Sequence, residues 1–142
     1  MKKILIIAVL LAFLTAHNNS TAQDKDSSAC MIDISLQECM DNSKSITQEM
    51  KKCLSDACEK WELELEKYYN LLMEVLEEEP RKSLEESQQA WIKFKDLEFS
   101  NFIPNYFQDI GSYIGPSIME SKMLIIRARA LQLKSYYDTI QE

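Results

Sequence analysis

Four cysteines and a single histidine are the side chains of this 142-residue chain with the most specific chemistry. The histidine, His17, lies in a segment that we expect to be removed, which would leave the mature chain without an imidazole. Nucleophiles activated by histidine, histidine proton shuttles and histidine-ligated metals are then all excluded. We therefore expect no catalytic residue, no metal ligand and no cofactor, and predict that the protein is not an enzyme.

The four cysteines are Cys30, Cys39, Cys53 and Cys58, and an even number of cysteines in an exported chain predicts two disulfides. Cys53 and Cys58 would lie about 7.5 Å apart along one helix and on different faces, which is too far for a bond. Two pairings remain. The nested one joins Cys39 to Cys53 and Cys30 to Cys58, and the crossed one exchanges the partners. We expect the nested pairing, because it lets the N-terminal segment run back antiparallel along the helix.

Residues 1–22 have the pattern of a secretory signal peptide. Lys2 and Lys3 precede an apolar run from Ile4 to Leu14, which is shorter than the roughly 18 to 20 residues that span a bilayer. Cleavage is expected after Ala22, which has small residues before it. The sequence therefore predicts a periplasmic or secreted protein without a membrane span.

The elements that must position the cysteines are predicted to be helices. The chain has only 2 Gly and 3 Pro, and its apolar residues recur at steps of three and four. A long first helix starts near Ile46 and ends before Pro80, a second covers residues 81–102, and a third covers 117–140. We therefore predict an all-α fold, a small disulfide-stapled bundle of three main helices with a long first helix.

Caps and packing of these helices are also expected from the sequence. Ser45 or Thr47 is expected to cap the first helix, with Gln48 three residues after Ser45. Ser83 is expected to cap the second, with Glu86 three residues later. Trp91 and Phe94 are expected to face the core. Nearby charges are expected to pair across or along the helices: Asp96 or Glu98 with Lys93, Lys95, Arg127 or Arg129.

Several motifs of the chain resemble the lysozyme-inhibitor LprI-like family of exported bacterial proteins. They are Cys39, the run from Ile46 to Cys53, Trp61, Leu63 to Leu65, Tyr68, the run LEESQQAWIKFKD from Leu84 to Asp96, and Gly111 with Ser112. The resemblance implies a helical domain over residues 45–142, preceded by a disulfide-tethered segment at 23–44. The chain departs from the family pattern at Phe99, where the family has a cysteine, so a disulfide between the last two helices is absent.

The resemblance implies a protein that binds and inhibits lysozyme or a related cell-wall hydrolase. The chain has a formal charge of −7, and loss of Lys2 and Lys3 with the leader would make it −9. An acidic surface disfavours nucleic acid and favours a cationic protein partner such as a lysozyme. The alternative function is an envelope interaction or immunity protein with a different protein partner.

Residues 101–117 form the predicted loop between the last two helices, with both glycines and two of the three prolines. Aromatic and amide side chains there are of the kinds found at binding hot spots. The predicted partner-binding residues are Asn105, Tyr106, Gln108, Asp109, Ser112 and Tyr113. The alternative is an ordinary connector whose aromatic side chains fold inward.

Overall fold

A computed structural model describes residues 27–142 of the chain, which form an all-α fold. The helices are α1 (Ser27–Asn42), α2 (Thr47–Val75), α3 (Glu78–Leu97), α4 (Ile103–Phe107) and α5 (Gly115–Gln141). A π-helical turn, Glu98–Phe102, connects α3 to α4, and a 3₁₀ turn, Ser112–Ile114, precedes α5. Residues 27–142 contain no strand, and the predicted fold class is confirmed.

The centre of the fold is the contact between α2 and α5, the most extensive helix contact in the structure. Both helices carry apolar stripes with steps of three and four residues, as the sequence predicts. The most buried large side chains are Trp61 and Leu72 from α2 and Ile126 and Leu133 from α5. Burial of each such side chain stabilises the fold by about 1.5–3 kcal/mol.

The N-terminal segment that the sequence predicts only as a tether is a helix, α1. It lies antiparallel to α2, because Ser28 Oγ donates to Glu64 Oε2 at 3.1 Å near one end and Cys39 is bonded to Cys53 near the other. Its apolar face packs into the same core as α2 and α5. The predicted antiparallel path is confirmed, and α1 is a helix that the sequence does not predict.

One of the two predicted disulfides is present in the structure. The bond joins Cys39 to Cys53, whose Cα atoms are 5.7 Å apart, whereas Cys30 and Cys58 are unbonded. This corrects the predicted second bond. Cys58 follows Cys53 by five residues and therefore points about 140° away from it around α2. Because Cys53 faces α1, Cys58 faces α3 and α5 instead, while Cys30 is exposed on α1.

The junction between α2 and α3 differs from the prediction. α2 ends at Val75 and α3 begins at Glu78, so Pro80 lies in the first turn of α3, where its missing N–H breaks no helical hydrogen bond. Glu78 and its neighbour Glu79 also favour this start through the helix dipole. The predicted cap at Ser83 is absent, because its hydroxyl donates to the backbone oxygen of Glu79 at 3.1 Å.

The first residue of α2 has no side-chain cap either, and the turn before it has an unusual backbone. Ile46 occupies the capping position. Lys44 and Ser45 have φ values of 49° and 62°, in the left-handed region that non-glycine residues rarely adopt. Ser43 is buried beside them and its hydroxyl donates to the backbone oxygen of Met40 at 2.7 Å. The predicted cap at Ser45 or Thr47 is therefore replaced by a tight turn next to the disulfide.

The predicted signal peptide at residues 1–22 lies outside the described residues. Within residues 27–142, no helix has the length and apolarity needed to cross a membrane.

Candidate functional site

The tip, which we define as residues 98–114, links α3 to α5 at one end of the bundle. The sequence predicts a turn-rich loop here, but most of the tip is helical, which corrects that prediction. Pro104 lies in the first turn of α4, where proline is tolerated. Gly111 reverses the chain after α4 with a φ of 94°, and a Cβ at this position would lie 3.3 Å from the ring of Tyr113. The tip is therefore a defined structure rather than an irregular connector.

The predicted partner-binding side chains lie on the outside of the tip. Five of the six are exposed: Asn105, Tyr106, Gln108, Asp109 and Tyr113. The rings of Tyr106 and Tyr113 are the most accessible, because these residues are 64% and 71% exposed. The side chain of Ser112 lies outside the described part of the chain. The rings of Phe102, Tyr106 and Tyr113 are exposed rather than folded inward, which argues against an ordinary connector, whereas Phe99 packs against the core.

The aromatic rings of the tip contact one another. Phe102 and Tyr106 stack with ring centroids 5.7 Å apart, and Phe107 meets Tyr106 nearly edge-on at 5.0 Å. Ile103 is buried beneath them and attaches α4 to the bundle. Such pairs gain about 0.5–1.5 kcal/mol beyond their burial and fix the ring directions. The tip thus presents ordered aromatic rings next to amide groups, with Asp109 as the one charged side chain beyond Glu98.

The C-terminal half of α3 packs loosely on the bundle. Leu84 and Gln88 are the buried residues of this helix, while Trp91 is half-buried and Phe94 is 48% exposed. The expectation that Phe94 faces the core is wrong. α2 and α5 cover each other and α1 covers a further part of α2, so the apolar stripe of α3 has little surface left to bury against.

The loosely packed half of α3 borders a groove with α5, which we call the α3–α5 groove. Its volume is about 460 Å³. It is lined by Trp91, Phe94, Leu124, Ile125, Ala128, Arg129 and Gln132. The walls are apolar except for Arg129 and Gln132.

Arg129 of α5 is buried in the floor of this groove, with 7% of its surface exposed. Its Nε donates to Gln88 Oε1 at 3.0 Å, and its terminal nitrogens donate to the hydroxyl of Ser87 and to Gln132 Oε1. Burial lowers the pKa of Arg129, but a guanidinium keeps its charge in proteins. The predicted pairing of Arg129 with Asp96 or Glu98 is wrong, because its partners in the described chain are amide and hydroxyl oxygens.

Arg127, two residues earlier, has a carboxylate partner on α1. Its Nε donates to Asp33 Oδ1 at 3.0 Å and a terminal nitrogen donates to Oδ2 at 2.6 Å. The hydrogen bonds that Arg127 donates to Asp33 raise the pKa of Arg127. The guanidinium also lies 5.2 Å from the ring centroid of Trp61. The predicted partner was again an acid of α3, so this pairing corrects the prediction and connects α1 to α5.

Lysines cover the aromatic residues where α3 meets the tip. Lys95 Nζ lies 5.6 Å from the ring centroid of Trp91, and Lys122 Nζ lies 5.2 Å from that of Phe99. These are cation–π distances, worth about 0.5–1 kcal/mol at exposed sites. Cys58 lies close to both lysines, but burial and the charges of nearby glutamates raise the pKa of its thiol. A raised pKa keeps the thiol protonated and unreactive.

The residues of the tip and of the α3–α5 groove are suited to binding other molecules. Among residues 27–142 there is no group of three or more His, Cys, Asp or Glu side chains that could hold a metal ion. Aromatic rings and amides at the tip suit a protein surface, and the α3–α5 groove suits an apolar group. The sequence does not predict the groove, although the position of Arg129 indicates that something unusual lies there. Arg129 is a charged residue on the apolar stripe of α5, three residues after Ile126 and four before Leu133.

Residues 39–133 of the chain match the family model described as "Lysozyme inhibitor LprI". The match begins at the disulfide, includes the whole of α2, α3 and the tip, and ends on the core stripe of α5. No curated protein and no solved structure matches the chain. Since the match covers most of the sequence, the chain belongs to the LprI lysozyme inhibitor family.

Proposed function

We propose that this protein is an exported inhibitor of lysozyme or of a related cell-wall hydrolase, and that it contacts its target through the tip. Membership of the LprI family supports a lysozyme inhibitor role. The leader-like residues 1–22 support a periplasmic or secreted location, where such a hydrolase acts. The observation that carries the proposal is the set of exposed aromatic rings at the tip.

Tyr106 and Tyr113 are the residues of the tip most suited to a protein interface. Tyrosine is enriched at binding hot spots, because a rigid ring buries much apolar area and its hydroxyl still forms a hydrogen bond. Both rings are largely exposed, so a partner could bury them almost completely. Asn105 and Gln108 lie beside them and supply donors and acceptors for the rim of the interface.

The charge of the chain supports a cationic target. With 23 acidic against 16 basic side chains, the chain attracts a basic protein over a longer distance than direct contacts reach. The tip itself has little charge, so the acidic surface steers the encounter while the aromatic rings hold the complex. Association should then slow as the salt concentration rises, with a smaller effect on dissociation.

Inhibition of wall lysis tests the proposal directly. The protein without residues 1–22 is mixed in molar excess with lysozymes of several types, and the clearing of a bacterial wall suspension is followed. We expect at least one lysozyme to be slowed, in proportion to the inhibitor added. If every lysozyme clears the suspension at its normal rate, the proposal is overturned. An envelope or immunity protein with another partner then becomes the better interpretation.

Tyrosine variants test whether the tip is the contact surface. Tyr106→Ala and Tyr113→Ala should each weaken the complex by about 2 kcal/mol or more, roughly thirtyfold in Kd. Tyr136→Ala is the matched control, because Tyr136 is also exposed but lies 21 residues beyond the start of α5, about 30 Å along the helix from the tip. Equal effects of all three variants would contradict a contact at the tip.

A further inference from the structure

The α3–α5 groove is a second place where the molecule is prepared to bind something, on a side of the bundle that the proposed function does not use. Its volume of about 460 Å³ lies in the range of small-molecule sites, about 300–1,000 Å³. Trp91 and Phe94 from α3 face Leu124 and Ile125 from α5 across it. Phe94 and Leu124 remain about half exposed to water, so the walls can still bury apolar surface.

The charge of Arg129 in the floor of the groove has no counter-ion in the described chain. Its three hydrogen-bond partners, Gln88, Ser87 and Gln132, are neutral, and no carboxylate of residues 27–142 contacts it. A guanidinium has five N–H donors, so these three bonds leave two of them without an acceptor among residues 27–142. Removing a charge from water without a partner of opposite charge is costly, and neutral acceptors offset only part of that cost.

Arg127, on the same helix as Arg129, has a counter-ion from within the protein, Asp33 of α1. Asp33 accepts hydrogen bonds from two nitrogens of Arg127, although that pair is more exposed than Arg129. The more deeply buried arginine is therefore the one without a carboxylate. Its position also differs, because Arg129 lines an open apolar groove.

We propose that the α3–α5 groove binds a small organic carboxylate, a molecule with one carboxylate group and an aromatic or aliphatic body. The carboxylate would accept hydrogen bonds from the free donors of Arg129, and such charge-assisted bonds are the strong ones. The apolar body would lie between Phe94 and Leu124 and cover Trp91. A ligand of this kind supplies both groups that the site lacks, an anion and apolar cover.

Binding of 4-phenylbutanoate, compared with its neutral amide, tests the charge requirement. Both are titrated into the full chain without residues 1–22, and binding is followed by calorimetry and by tryptophan fluorescence, since Trp91 lines the groove. We expect saturable binding of one equivalent of the carboxylate. The amide should bind roughly tenfold to a hundredfold more weakly, because it lacks the charge-assisted bond. Equal affinities for the two compounds, or no saturable binding of the carboxylate, overturn the proposal.

Three variants test the location of the site and the role of Arg129. Ala128→Phe fills the groove from an exposed position without altering Arg129, and it should abolish binding while leaving the melting temperature unchanged. Ala90→Phe is the matched control, because Ala90 is exposed on α3 outside the lining of the groove, and it should bind like the wild type. Arg129→Gln should remove the preference for the carboxylate over the amide.

Two outcomes would contradict the location. If Ala128→Phe binds 4-phenylbutanoate as well as the wild type does, the ligand binds elsewhere and the proposal is wrong. If the wild type does not bind it and Ala128→Phe instead changes the sedimentation coefficient, the groove is an interface between copies of the chain, which also overturns the proposal. Ala128→Phe decides the matter even if Arg129→Gln fails to fold.

Discussion

The contact between α2 and α5 and the outer half of α3 follow the same kind of apolar stripe, yet they differ sharply in burial. Trp61, Ile126 and Leu133 are almost completely buried where α2 meets α5. Phe94 and Leu97, at equivalent steps of the α3 stripe, are about half exposed. The comparison shows that an apolar stripe predicts a helix face suited to burial, but not whether a neighbour covers it.

The residues that stabilise the fold and the residues that are exposed for binding therefore lie in different regions of the molecule. α1, α2 and α5 form the stable part. Within it, the disulfide connects α1 to α2, and the Arg127–Asp33 pair connects α1 to α5. α3 is attached near its start by Leu84 and Gln88, and its outer half passes into the exposed tip. Substitutions in the first region should therefore alter the free energy of unfolding, and substitutions in the second should mainly alter binding.

The largest effect is expected for Trp61→Ala. Trp61 is fully buried between the helices, so its truncation should lower the free energy of unfolding by about 3–5 kcal/mol. Phe94→Ala removes an aromatic side chain of α3 that is half exposed and should cost about 1 kcal/mol or less. Urea unfolding followed by circular dichroism measures both. Similar losses in the free energy of unfolding for the two variants would contradict the difference in packing between the two regions.

The next largest effect is expected for removal of the disulfide. Cys39→Ser combined with Cys53→Ser should lower the free energy of unfolding by about 3 kcal/mol, because a loop of some 15 residues is no longer closed. Urea unfolding of the oxidised protein and of the variant measures this. Cys30→Ser is the control and should change stability by less than about 0.5 kcal/mol, since Cys30 is exposed and unbonded. A comparable loss for Cys30→Ser would indicate a second disulfide in solution.

Gln88→Leu tests the attachment of α3. The substitution removes the acceptor of Arg129 Nε and leaves a buried donor unpaired, so the free energy of unfolding should fall by about 1–3 kcal/mol. Gln89→Leu is the matched control, because Gln89 is the next residue and is exposed. Thermal unfolding distinguishes the two. If both variants have the wild-type melting temperature, the hydrogen bond to Arg129 does not hold α3 in place.

Asp33→Asn tests the ion pair between α1 and α5. Both partners are partly exposed, so the loss should be only about 0.2–1 kcal/mol and should shrink as salt is added. Asp56→Asn removes an exposed carboxylate of α2 that has no ion pair within residues 27–142, and should leave the free energy of unfolding unchanged. A loss of several kcal/mol for Asp33→Asn would place this pair in the stable core.

The smallest effect concerns the thiol of Cys58. Burial, followed by the charges of Glu62 and Glu59, raises its pKa, so the folded state holds this proton more tightly than the unfolded state does. Cys58 therefore contributes to stability below the ordinary thiol pKa, and this contribution is lost as the pH rises through the raised value. In a Cys30→Ser variant, alkylation should begin at a higher pH than in the same chain unfolded in urea. Identical pH profiles would contradict the raised pKa.

The stripes of α2 and α5 were predictable because burial on one face of a helix imposes steps of three and four residues, and both helices are buried. α1 was not predicted as a helix, because only the cysteines of residues 23–44 were considered and not the spacing of the apolar residues. The second disulfide was predicted from the even number of cysteines, and its pairing from the direction of the chain. The helical spacing of Cys53 and Cys58, which excludes a bond between them, also turns Cys58 away from the segment that Cys53 contacts.

The exposed aromatic residues of the tip were predicted from composition, but their arrangement was not. Prolines at positions 104 and 116 suggest turns, although in the structure each lies in the first turn of a helix. The partners of Arg127 and Arg129 depend on which helices lie next to α5, and this is a tertiary contact that spacing along one helix does not encode. The α3–α5 groove was missed for the same reason, because it exists only between two helices.

The π-helical turn at Glu98–Phe102 lets the tip change length by one residue. A π turn is wound with more residues than an α turn, and loss of one residue there would restore regular winding. The wide turn absorbs the extra residue, so everything beyond it, including Tyr106, would keep nearly the same direction. A single-codon deletion at this one point is therefore tolerated during evolution, with the aromatic rings and the hydrophobic interior left as they are.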